Sequence, residues 1–326
     1  MDTVNSSTSS SNTELETDTG AEPPAHSPRY TLLWLATLAA TFAIFLGTSE
    51  ALIRLHVEPN DLLLKHASLM SSSTSANAVF GDSHASLGFT GQPEFVNLAF
   101  PGENLRTIAS KVEHYFSERS PGKVIFQLGP HQFSERRNSE FGLDYRNANW
   151  KPGASRALSA WYRPKVLNFW KVYLAGDEFR VNRALQTDGA QTVDTSLAEM
   201  PPSDRHTQAE RTVTDQLPAA EPATGTAAQT AKSILSALIS RGAEICLVTF
   251  PVSPDQVAYA KRHPEIAETR RYIDELAHSL TLKRVDYWSA IQDYALFTNS
   301  DHLNALGASQ LASMAVADCG FGQTEG

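Results

Sequence analysis

The chain has 326 residues, of which 41% are hydrophobic and 19% charged, with a formal net charge of −9. That balance excludes a wholly disordered chain, because there is enough apolar surface to bury one sizeable core. Its 27 Lys and Arg are outnumbered by 36 Asp and Glu and form no basic run, which excludes the clustered cations that phosphate neutralisation needs, so no nucleic-acid partner is expected.

Residues 1–29 open the chain with Ser, Thr, Glu and Pro and no Lys or Arg before Arg29. Such a segment cannot offset its ordering entropy and is expected to be a disordered tail. Tyr30–Ser49 then carries no charged residue and is dominated by Leu, Ala, Phe and Ile. A membrane span needs roughly 20 apolar residues, which this run supplies. Tyr30 and Trp34 lie near one end, where amphipathic rings prefer the interface. A cleaved signal peptide is the competing reading. The run exceeds the ~7–15 residues of a signal h-region, no basic segment precedes it and no small-residue cleavage site follows. An uncleaved anchor is therefore expected. The flanking cations, Arg29 against Arg54 and Lys65, favour a cytoplasmic C-terminal domain, by a rule that long domains often escape.

Residues 50–74 read as a connector, and 75–320 as one α/β domain. Ala78–Phe80 is a short strand running into Gly81-Asp82-Ser83-His84, and Phe95–Leu98 a second strand followed by Pro101-Gly102. Asn104–Glu118 has helical periodicity, and Lys123–Leu128 is a buried strand ending at Gly129-Pro130. From about 132 to 225 the alternation fails. Trp150, Trp161, Tyr162, Phe169 and Trp170 make this an aromatic-rich insertion, while Met200-Pro201-Pro202 and Leu217–Gln229 read as exposed linker. The alternation resumes with a helix over Ala227–Arg241 closed by Gly242, a strand over Glu244–Phe250, and a helix over Pro264–Leu280. A short strand at Arg284–Tyr287 and a last helix over Ala305–Asp318 complete it. Strands alternating with helices predict a parallel sheet covered on both faces. The two cysteines, Cys246 and Cys319, have no metal-ligand spacing, so no zinc site or other cofactor is expected. Cys246 reads as a buried small hydrophobe, with a single disulfide to Cys319 left open.

Acyl transfer needs a nucleophile, a base and an oxyanion hole. Ser83 sits where a strand meets a loop, at the sheet edge where open α/β sheets bind ligands. Far along the chain, Asp301-His302-Leu303-Asn304 precedes the last helix, with Gly307 in its first turn. A histidine there can reach the same edge, and a Ser83 Oγ to His302 Nε2 separation within about 3.5 Å is what a catalytic pair requires. The alternative is a solvated turn with Asn304 capping the helix.

Four segments in this order resemble the SGNH/GDSL hydrolases. Phe80-Gly81-Asp82-Ser83 looks like their first motif, and Asn97-Leu98-Ala99-Phe100-Pro101-Gly102 their second. Gln127-Leu128-Gly129 stands where their Gly-x-Asn-Asp begins, and Asp301-His302-Leu303-Asn304 with Gly307 resembles the last. The resemblance implies a three-layer α/β/α flavodoxin-like parallel sheet with Ser83 as nucleophile, His302 as base, and the Ser83 and Gly102 amides holding the oxyanion. Two positions depart from the pattern. His131 stands where the family has its oxyanion-donating Asn, and it reads equally as a donor or an ordinary loop histidine. Asn299 stands where the acid that orients the histidine belongs, so either Asn299, Asp301 or neither orients His302. Asp301 is preferred for its charge, because an amide cannot stabilise the imidazolium. His84 reads as structural, and Asp82 as the holder of the turn through backbone hydrogen bonds.

One span ahead of such a domain is similar to proteins that O-acylate envelope polysaccharides. The resemblance implies an extracytoplasmic (periplasmic) carbohydrate O-acetyltransferase or acyl esterase. Its partners would be an acylated carbohydrate or acyl donor and a membrane-bound O-acyltransferase. The two departures keep open a second class, a non-catalytic binding or assembly partner.

Overall fold

The computed structural model describes residues 28–58, 61–139, 143–146, 155–159, 162, 170, 184–185, 188–218 and 222–322. Residues 1–27 of the expected tail, and Trp150, Trp161 and Phe169 of the aromatic insertion, lie outside the described residues. The chain divides into two units, residues 1–51 and 52–326. The first holds most of helix α1 (Pro28–Leu52), and that helix together with the turn after it, Pro28–Val57, is long and apolar enough to cross a membrane. Its large apolar side chains, Leu33, Phe42 and Ile44 among them, are exposed.

The second unit is built on a five-stranded parallel sheet in the order β2-β1-β3-β6-β7. Its strands are β1 (Ala78–Phe80), β2 (Val96–Asn97), β3 (Lys123–Gln127), β6 (Glu244–Thr249) and β7 (Lys283–Asp286). The intervening β4 (Ala184–Leu185) and β5 (Gln191–Thr192) form a separate antiparallel pair. This is the flavodoxin-like order, in which the chain reverses direction across the sheet between β1 and β3.

Side chains alternate across the strands with the period of two that a pleated sheet imposes. Phe80, Val124, Phe126, Ile245 and Leu247 pack on one layer; Val79, Ile125, Cys246 and Val248 pack on the other. The first layer holds α2 (Leu62–Ser72), α4 (Leu105–Tyr115), α7 (Thr226–Ser240) and α9 (Pro264–Ser279). The second holds α3 (Ser83–Gly88) and α10 (Ala305–Asp318). Each fully buried aliphatic or aromatic side chain in these layers contributes roughly 1.5–3 kcal/mol.

The helices start where the capping residues stand. Asn104 accepts from the Thr107 amide at 3.0 Å, Asn304 from Gly307 at 3.1 Å, and Pro264 opens α9 at its first turn. Three stretches differ from the sequence reading, and one question it left open is answered. Residues expected as a connector form α2, whose Leu63, Ala67 and Met70 are core. Ser83 begins a helix rather than a loop. Within the insertion, the short α5 (Glu135–Ser139) comes first, and the stretch between the two expected linkers is helix α6 (Pro202–Asp215), entered through Pro202 at its first turn, with Ala209 and Val213 buried. Cys246 is buried, as a small hydrophobe would be, and it is also bonded to Cys319, which ties β6 to the end of α10.

Candidate active site

The nucleophile turn is shaped by what Gly81 leaves out. A Cβ at this position would collide with the Gln127 carboxamide and the Ala85 methyl. With hydrogen there, Gln127 Oε1 accepts from the Asp82 amide at 2.8 Å and locks the chain at the end of β1. Asp82 then caps α3, its Oδ1 accepting from the His84 amide at 3.0 Å. Ser83 is thereby the first residue of α3, at the carboxyl edge of the sheet, with 7% of its surface exposed.

The base comes from the turn before α10. Asn299 Oδ1 accepts from the amides of Asp301 at 3.1 Å and His302 at 2.8 Å, which folds residues 299–302 into a tight turn. His302 Nε2 reaches Ser83 Oγ at 2.7 Å, across 219 residues of sequence. On its other side, Nδ1 faces Asn299 Oδ1 at 3.1 Å and Asp301 Oδ1 at 2.9 Å. Both candidates for the orienting group therefore reach the ring. Acceptors on the Nδ1 side hold the proton there and leave the Nε2 lone pair for the serine hydroxyl. Burial acts to raise the Asp301 carboxyl, but the His302 imidazole overrides it and holds Asp301 well below the usual carboxylate range. Asp301 is thus a carboxylate at neutral pH, and it can stabilise the imidazolium that forms when Ser83 attacks.

Asp82 and His131 take roles beyond those the sequence suggested. Asp82 Oδ2 lies 2.7 Å from His131 Nε2 and 3.3 Å from Arg137 Nη1. Burial acts to raise this carboxyl too, but the facing His131 ring and the Arg137 guanidinium outweigh it and hold Asp82 well below the usual carboxylate range. His131 spends its Nε2 on this pair, so that nitrogen is not aimed at an oxyanion. His84 stacks on His131, with centroids 4.1 Å apart and planes at 14°, and its ring also abuts His302 at 4.9 Å. Burial, followed by the neighbouring His131, holds His84 well below its ordinary value, so the ring is neutral. Among the described residues, two sets have metal-like ligand spacing: Asp82, His84 and His131, and His84, Asp301 and His302, with ligand atoms within 4.8 Å of one another. A cation would compete with Arg137 in the first and with the hydrogen-bonded Asp301–His302 pair in the second.

Gly102 stands in the turn after β2 with φ +81°, a conformation that favours glycine, and with open space where a Cβ would be. Its loop is tied to the nucleophile turn by the Phe100 amide donating to Gly81 O at 3.3 Å. Beneath the loop, the fully buried Lys111 Nζ donates to Leu98 O at 2.7 Å and to Glu103 Oε2 at 2.6 Å, and lies 3.0 Å from His66 Nε2. Tyr145 donates to the other Glu103 oxygen at 2.8 Å. Burial pushes Glu103 up and Lys111 down, each towards its neutral form, and their contact opposes both shifts.

Sequence reasoning missed Arg137, Gln208, Thr212 and Gln216. The last three stand four apart and share one face of a helix, a spacing that was readable, but what that face meets was not.

No family model matches this chain, and no curated protein matches it. Solved structures that do match include an acetyl-xylooligosaccharide esterase variant from Geobacillus stearothermophilus, at 14% identity and TM-score 0.40, over 78% of this chain and 98% of that one. A lipase/acylhydrolase from Enterococcus faecalis matches at 11% identity and TM-score 0.37, over 75% and 95% of the two chains. A carbohydrate acetylesterase family member from Sinorhizobium meliloti matches at 11% identity and TM-score 0.31, over 75% and 99%. Strand order and the helices on both faces make the fold a three-layer α/β/α fold of flavodoxin-like order, and the segments that resemble the SGNH/GDSL motifs lie at the carboxyl edge of its sheet, where Ser83 and His302 are in hydrogen-bond contact.

Proposed function

We propose that the protein is a serine acyl esterase or O-acyltransferase that works through an acyl-Ser83 intermediate. The observation that carries this is the 2.7 Å contact between Ser83 Oγ and His302 Nε2, backed by a carboxylate at Nδ1. Ser83 Oγ bonds to the ester carbonyl carbon as His302 Nε2 takes its proton, and the carbonyl electron pair moves onto oxygen. The Ser83 and Gly102 amides stabilise that oxyanion. Collapse breaks the bond to the leaving alcohol, which takes the proton from His302. Water or a sugar hydroxyl then repeats the sequence in reverse and frees the serine. With His131 Nε2 held by Asp82, that nitrogen does not serve the hole as the Asn of the resembling family does, and losing one such donor is worth about 10²–10³ in rate.

The acyl group is carried by a carbohydrate, and a membrane-bound O-acyltransferase is the natural source of acyl groups for such a protein. The candidate span supports anchoring. The Cys246–Cys319 disulfide supports an oxidising, extracytoplasmic compartment, against the cation count flanking the span. A non-catalytic binding partner is the second reading, favoured by His131 being consumed by Asp82.

Labelling with a serine-directed fluorophosphonate and release of p-nitrophenol from its acetate separate the two. Ser83→Ala should abolish both. Labelling and turnover equal to wild type in that variant, or none in the wild type, would overturn the catalytic reading.

A further inference from the structure

The turn that carries His302 is held from outside the SGNH-like core. Ser300, 1% exposed, has its main polar atoms engaged. Its amide donates to Gln208 Oε1 at 2.9 Å, its hydroxyl meets Thr212 Oγ1 at 3.0 Å, and its carbonyl accepts from the Ser253 amide at 2.8 Å. One residue on, Gln216 Nε2 donates to Asp301 Oδ2 at 3.2 Å, while Oδ1 of the same carboxylate faces His302 Nδ1. Gln208, Thr212 and Gln216 stand at i, i+4 and i+8, so they form one stripe along α6 and its C-cap.

The stripe is itself fixed. Val213 packs with Val252, Ile266 and Trp288, Tyr259 donates to Glu210 at 3.1 Å, and Asp255 of α8 (Pro254–Ala260) lies 3.2 Å from His206 and 3.6 Å from Arg205. On its other flank, the segment leading to α6 pairs with the residues on either side of that turn. Leu197 donates to Phe297 O at 2.7 Å and Ala305 to Val193 O at 3.1 Å.

We propose that the Gln208–Thr212–Gln216 face of α6 is the positioning surface of the general base, with Gln216 acting through Asp301 on His302. A carboxylate beside a histidine can rotate, and rotation would turn its charge away from Nδ1. Gln216 binds the distal oxygen and holds the proximal one against the ring. The inserted segment is then part of the catalytic machinery rather than a cover over it. This rests on Ser83 and His302 being the reacting pair.

The test uses the second-order rate of Ser83 labelling by a fluorophosphonate, measured against pH on the full chain, so no natural acceptor is needed. Gln216→Leu should lower the plateau rate by roughly ten- to a hundredfold and move the acid limb to lower pH, because an imidazolium facing a displaced carboxylate is less stabilised. In an Asp301→Ala background, Gln216→Leu should cost nothing further, since its effect runs through that carboxylate. The same loss in both backgrounds, or an unmoved acid limb, overturns the proposal. Gln216→Met repeats the measurement with a longer side chain should the leucine variant not fold. If Ser83→Ala still labels, the reading of the site fails instead, and the two failures are distinguishable.

Discussion

At the scale of the residue, the question is which group serves His302. Asn299 and Asp301 both reach Nδ1, at 3.1 and 2.9 Å, but they do different work. Asn299 Oδ1 already accepts from two backbone amides and shapes the turn; Asp301 brings the charge. Asp301→Asn should therefore lower the burst rate of acyl-enzyme formation by roughly 10³–10⁴, an electrostatic loss of about 4–5.5 kcal/mol. Asn299→Asp should change it by less than about tenfold, because the ring already faces a carboxylate. Stopped-flow release of p-nitrophenol resolves that burst from deacylation. A large gain in Asn299→Asp would reverse the assignment. The sequence showed both candidates and favoured Asp301 by its charge alone; it could not show the contact, since adjacent side chains usually diverge and the turn made by Asn299 brings Asp301 round to the ring.

At the scale of the element, the loop from β2 to α4 presents Gly102 and must keep its shape without a regular hydrogen-bond ladder. Lys111 does this from inside α4, through Leu98 O and Glu103. Breaking a buried pair strands the remaining partner. Lys111→Met should destabilise by about 3–5 kcal/mol, and adding Glu103→Gln should recover a large part of that, measured by urea unfolding. Little or no loss in the single variant would mean that the pair does not hold the loop. The strands and most helices were legible in the sequence because their signals are local. Caps at Asn104 and Asn304, Pro264 at a helix start and Gly242 after a helix end each lie within one turn of what they fix. Helix α6 was hidden by Pro201-Pro202, which punctuates linkers and also opens helices, and only its Val213 side, packed on Trp288, tells the two apart.

At the scale of the whole molecule, Cys246–Cys319 joins an inner strand of the sheet, β6, to the end of the last helix over 73 residues. The loop-entropy account puts the stabilisation from closing such a loop at about 4 kcal/mol. Replacing both cysteines with alanine should lower the thermal midpoint by several degrees and remove the sensitivity of stability to reductant. The same bond reports the compartment. Protein taken from its native cell under alkylating conditions should show no reactive thiols, and two free thiols would return the domain to the reducing side that the flanking cations suggested. Fractionating the same cells tests the apolar Pro28–Val57 stretch, since an anchored domain should remain with the membrane fraction at full length.

The sequence by itself determined the alternation of strands and helices, the serine after the first strand and the histidine before the last helix. Each of these is written in residues a few positions apart, where propensity, capping and the two-residue pleat act. Only the tertiary structure decided that His131 belongs to Asp82, that Cys246 meets Cys319, and that the α6 stripe grips the turn carrying His302. Those contacts join residues 49, 73 and about 90 positions apart. Their energies come from burial and charge pairing that exist once the sheet has closed, so no local signal encodes them.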